Sequence, residues 1–103
     1  MQKNMKEFQE FNESRFVRKT LFQEGKTDAF VLNLLPGQSV PPHPHPNAHV
    51  YMYIVEGEGT FIIDEKELSA SQRDVIHCED QQMLEIENTG DKPLSIYVVL
   101  ANS

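Results

Sequence analysis

A chain of 103 residues with 39% hydrophobic side chains is long enough for one compact core and too short for two domains. Sixteen acidic against nine basic side chains leave a formal charge of −7 with no cluster of Lys or Arg, which argues against a nucleic-acid partner. The longest apolar runs, such as 96–101, fall far short of a bilayer span, and a single cysteine, Cys78, excludes an internal disulfide or a zinc site built from several thiolates.

The chain starts Met1-Gln2-Lys3-Asn4-Met5-Lys6 and continues polar, with no apolar stretch or small-residue cleavage site, so a cytosolic protein is expected. Residues 1–14 form a polar segment in which Phe8 and Phe11 lie three apart, as a short amphipathic turn or a frayed tail. Residues 15–103 read as a single β-barrel domain. Its first strand is expected over 16–22, then a turn around Gly25. Residues 29–35 are apolar on both faces, as in a central strand, and Pro36-Gly37 ends them.

A proline-spaced segment, Pro41-Pro42-His43-Pro44-His45-Pro46, leads into an aromatic strand over 49–55. Gly57 and Gly59 flank Glu58 at an expected tight turn. A hairpin is expected around Asp64-Glu65-Lys66, with strands at 60–64 and 67–70. Further strands are expected at 74–78, 83–87 and 94–100, the last two separated by the dense turn signal Asn88-Thr89-Gly90-Asp91-Lys92-Pro93. Eight or nine short strands without a long helix indicate an all-β sandwich or barrel.

Three of the four histidines fall within seven positions. In an extended segment His43 and His45 project from one face and can reach one ion at about 2.0–2.1 Å each. The surrounding prolines stiffen that segment. If the next strand runs beside them, His49 completes a set of three nitrogens with open positions for water, substrate or dioxygen. A proline-rich surface loop with incidental histidines fits the same spacing. His77 reads as a surface or hydrogen-bonded histidine, and Cys78 as a small buried hydrophobe.

The run Gly37-Gln38-Ser39-Val40-Pro41-Pro42-His43-Pro44-His45, followed by Tyr53-Ile54-Val55-Glu56-Gly57-Glu58-Gly59, resembles the first conserved motif of the cupin superfamily. Residues 73–94 are similar to the second, more weakly. The resemblance implies a double-stranded β-helix, a jelly-roll barrel, with a metal inside its mouth. The family's usual ligands are two histidines and a glutamate from the first motif and a histidine from the second. His43 and His45 match the pair. His49 takes the glutamate position if a bulge at the strand start absorbs one residue before Gly57; counted one residue later, the position falls on Val50, which cannot bind a metal. The fourth position falls on Leu84.

The resemblance thus implies one divalent transition metal (iron, nickel, zinc, manganese or copper) on His43, His45 and His49. Tyr51, Tyr53, Met52 and Leu84 are expected around the pocket. The expected function is a metal-dependent enzyme acting on a small organic molecule, as dioxygenase, isomerase or lyase. The alternative is a non-catalytic ligand-binding or sensor barrel with a degenerate or empty metal site. A homodimer is expected, with the strand over 16–22 available for exchange.

Overall fold

The computed structural model describes residues 1–102. Alternating side chains and short turns give nine strands among them: β1 (Val17–Glu24), β2 (Thr27–Leu34), β3 (Ser39–Pro44), β4 (Ala48–Glu56), β5 (Glu58–Ile63), β6 (Lys66–Ser71), β7 (Val75–Cys78), β8 (Met83–Glu87) and β9 (Leu94–Asn102). They form two antiparallel sheets, ordered β1-β2-β9-β4-β7 and β3-β8-β5-β6. The sheets face each other as a double-stranded β-helix, the jelly-roll barrel expected.

Turn chemistry sets the connections. The β5–β6 hairpin closes on Asp64 and Glu65, both at positive φ, with Ile63 paired to Lys66. Asn88 organises the turn before β9: its side-chain amide donates to the carbonyls of Leu34 and Lys92, and its oxygen accepts from the Gly90 amide. Only Gly57 occupies the turn between β4 and β5; Gly59, expected beside it, lies within β5.

The core packs between the sheets, and its filling is uneven along the barrel. Leu34, Ile54, Phe61, Leu94 and Ile96 have no exposed surface and close one end. Each such side chain stabilises the fold by roughly 1.5–3 kcal/mol relative to solvent exposure. Register carries β4 and β9 together towards the other end, pairing Ile54 with Ile96, Met52 with Val98 and Val50 with Leu100. At that end the filling thins, and β3 brings in the histidine segment. β3 is an edge strand bonded only to β8, so its prolines withhold no hydrogen bond from an inner ladder.

The N-terminal segment lies against the barrel. A 3₁₀ turn (Met5–Phe8) is capped by Asn4, whose side chain accepts from the Lys6 amide. Asn33, fully buried on β2, donates to the Phe8 carbonyl at 2.8 Å and accepts from the Ser95 hydroxyl at 2.8 Å. Gln9 donates to the same hydroxyl. The Lys3 ammonium donates to the Leu21 carbonyl and faces the Phe22 ring. Both faces of β2 are therefore covered, one by the core and one by this segment, which explains its apolar character on both.

Candidate functional site

Turn geometry between β3 and β4 decides which histidines meet. His45 accepts from the Ala48 amide across Pro46 and Asn47, with Asn47 at φ 60. Proline followed by a positive-φ Asn suits a type II turn. The chain enters β4 with Ala48 buried, so Ala48, Val50, Met52 and Ile54 face the barrel interior. His49, Tyr51 and Tyr53 face outwards. The irregularity in β4 lies at its far end, between Ile54 and Glu56, so it does not rotate His49 inwards.

The barrel mouth encloses a cavity of about 250 Å³ lined by ten apolar side chains together with Arg18, His43 and His45. Phe30, Val50, Met52 and Leu84 are among its buried apolar walls. Arg18 lies with its guanidinium carbon 3.8 Å from the centre of the Phe30 ring and 47% of its side chain exposed, at the solvent side. Its nearest carboxylate, Asp28, is 4.0 Å away. A wider space of about 530 Å³ near Gly57 and Asp91 is open, polar and partly acidic, and it contains none of these groups.

His43 and His45 meet with ring centroids 4.4 Å apart. Since a carbonyl can only accept, the His43 Nδ1–H donates to Pro41. His45 is half-buried and its Nδ1 is buried without a partner. Burial first, and the neighbouring His43 second, push the His45 imidazole below its ordinary pKa. It is thus held neutral, with one N–H and one lone pair.

That shift has a consequence for acid stability. The unfolded chain accepts a proton on this imidazole at about pH 6.5, whereas the folded chain accepts it only at lower pH. His45 therefore adds no loss above pH 6.5, and stability declines as pH falls through that value towards the lowered one. We expect denaturant midpoints of the wild type to fall over this window and those of His45→Gln to fall less.

The three-histidine arrangement does not form. His49 lies on the outer wall, where its Nδ1 is 2.9 Å from the His77 Nε2. Among the described residues no three His, Cys, Asp or Glu side chains form a group that could hold an ion. Val50 and Leu84 stand at the remaining positions around the pair, and Leu84 lies directly across from His43 in the β3–β8 ladder. Two imidazoles in a wall that otherwise holds only apolar side chains and the cationic Arg18 do not fit the metal that the motifs imply, with either the usual four ligands or three histidines.

Tyr51 and Tyr53 are likewise outside the pocket, 44% and 41% exposed, because strand alternation turns them away from the interior. Met52 and Leu84 do line it. Arg18 was not singled out from sequence, and Val50 only as a position that cannot bind a metal; the alternation of β4 carried the signal for Val50, whereas Arg18 reaches the mouth only through sheet pairing. Cys78 is fully buried, and burial, with Asp64 and Glu79 nearby, holds its thiol above its ordinary pKa, so it stays protonated.

A family model described as Cupin domain matches residues 30–100. No curated protein sequence matches the chain. Among solved structures, TT1209 from Thermus thermophilus is similar with a TM-score of 0.92 at 23% identity, covering 97% of this chain and 95% of that one. The cupin domain of an XRE family transcriptional regulator from Enterobacter cloacae gives 0.79 at 19% identity, over 85% and 97%. A protein described as a predicted oxalate decarboxylase, from Thermotoga maritima, gives 0.70 at 22%, over 90% and 98%. At these identities the likeness concerns the fold. No helix among the described residues is long and apolar enough to cross a membrane.

Proposed function

The chain belongs to the cupin domain family, and from that premise we propose that it is a metal-independent binding protein for a small apolar molecule with one anionic end. The observation carrying this reading is the composition of the mouth cavity: ten apolar side chains against Arg18, His43 and His45 as the polar ones. An apolar wall with a few placed polar groups is the usual make-up of a small-molecule site. The His45 Nδ1 supports a ligand there, since a buried polar atom without a partner costs about 1–3 kcal/mol that a bound acceptor or donor recovers. Arg18 supports a carboxylate, because its guanidinium donors are only loosely engaged by Asp28.

Hexanoate, with hexanol as its uncharged counterpart, tests this on chelator-treated protein by NMR titration. Hexanoate is expected to shift the Val50, Leu84 and His45 resonances, and His45→Phe to weaken it by roughly tenfold or more. Binding lost on chelation, or absent from the cavity for both probes, would reject the reading. The competing possibility, a metal-dependent enzyme, draws support from the closeness of His43 and His45 and from the neighbour described as a predicted oxalate decarboxylase. The reading also keeps the protein cytosolic and homodimeric, the second through the free edge of β1, which pairs only with β2.

A further inference from the structure

We propose that His49 and His77 form a separate, solvent-facing site for a divalent ion of square or tetragonal preference, Cu(II) or Ni(II), on the outer wall of the barrel. The ladder between β4 and β7 pairs Tyr51 with His77, which puts His49 on the diagonal of His77 on the same face. Tyr51 stacks on His77 with centroids 4.7 Å apart and planes 7° apart, and the two imidazoles stack at 5.1 Å and 23°. These contacts keep the two imidazoles side by side on the sheet, which limits the freedom lost on ligation.

The two nitrogens are close enough to share one ion. His49 Nδ1 and His77 Nε2 are 2.9 Å apart. Two nitrogens each about 2.0–2.1 Å from an ion lie about 2.9 Å apart at adjacent corners of a square and about 3.3–3.4 Å apart at tetrahedral corners. Either spacing is within reach once the rings turn, and among divalent ions Cu(II), then Ni(II), hold imidazole nitrogens more tightly than the earlier metals of the row. Ligation turns each ring away from the hydrogen-bond axis so that both lone pairs meet at a common point, and the hydrogen-bond proton passes through solvent to the other nitrogen of its own ring, leaving both imidazoles neutral. His77 is exposed, so water fills the other positions. The acidic surface of a chain with formal charge −7 favours cations generally.

The site is independent of the mouth cavity, because His49 and Val50 lie on opposite faces of β4. It also does not depend on the function proposed for that cavity. The test is titration of untagged protein with Cu(II), read by calorimetry and by electron paramagnetic resonance, beside His77→Ala and His45→Ala. One equivalent with a two-nitrogen equatorial signature is expected in the wild type and in His45→Ala. His77→Ala, a change at an exposed position, is expected to weaken it by roughly tenfold or more. Copper binding unchanged in His77→Ala, or lost in His45→Ala and kept in His77→Ala, would overturn the assignment.

Discussion

Gly57→Ala is expected to destabilise the barrel by about 2–5 kcal/mol, the sum of a left-handed backbone penalty and an overlap that cannot relax. Gly57 sits at φ +86, and a Cβ there would lie 2.3 Å from the Pro93 carbonyl oxygen and 3.0 Å from the Leu94 Cα. Both are backbone atoms in the turn that feeds β9, the strand shared by β2 and β4. Neither can yield without moving that ladder. Gly37 provides the control: its φ is also +86, but an added Cβ meets nothing within 4 Å. Gly37→Ala should therefore cost only the backbone share, about 1–2 kcal/mol. Denaturant midpoints of the two variants separate the effects. Equal losses at both positions would remove the contact with Pro93 from the account.

The strands were legible because their boundaries are written in local chemistry. Residues 83–87 carry a clean alternation between turns, and β8 has those bounds. Asp64-Glu65-Lys66 and the Asn88–Pro93 stretch close their connections as their composition indicated. What local pattern could not supply was the covering of β2. Asn33 within an apolar run is satisfied by Phe8 and Ser95, 25 and 62 residues away. A polar N-terminal segment gives no local sign that it will be laid across the sheet.

The candidate site was half legible. The spacing of His43 and His45 correctly put two imidazoles side by side. The placement of His49 in the pocket rested on its ability to bind a metal, with a bulge absorbing the extra residue before Gly57, and that was weighed above the alternation of β4 itself. Ala48, Val50, Met52 and Ile54 are the apolar phase of that strand, and His49, Tyr51 and Tyr53 the amphipathic one. Burial free energy fixes such a phase: a one-residue slip would expose four apolar side chains and bury three polar ones. The meeting of His49 with His77 depended instead on the β4–β7 register, a pairing between residues 28 apart that no local pattern specifies.

If Val50 and Leu84 are what keep the mouth cavity from holding a metal, Val50→Glu with Leu84→His should create that capacity. The two positions and the histidine pair line one cavity, and Leu84 is already paired with His43 across the ladder. The double variant would present three imidazoles and a carboxylate, the set that the family's motifs imply. Without metal it should be less stable than the wild type, because Val50 is 2% exposed and a carboxyl placed there loses hydration worth about 1–3 kcal/mol. Metal should reverse that loss, since an ion at a hundred times its dissociation constant adds about 2.7 kcal/mol. The comparison is best made with Ni(II) in a His77→Ala background, which removes the outer-wall pair. There the double variant should bind Ni(II) roughly a hundredfold or more tighter than its parent, with a thermal midpoint that rises as metal is added. A parent that binds equally tightly through His45 would show that two imidazoles suffice and would return the cavity to metal chemistry. A folded double variant that gains nothing would mean that the four side chains do not converge on one point.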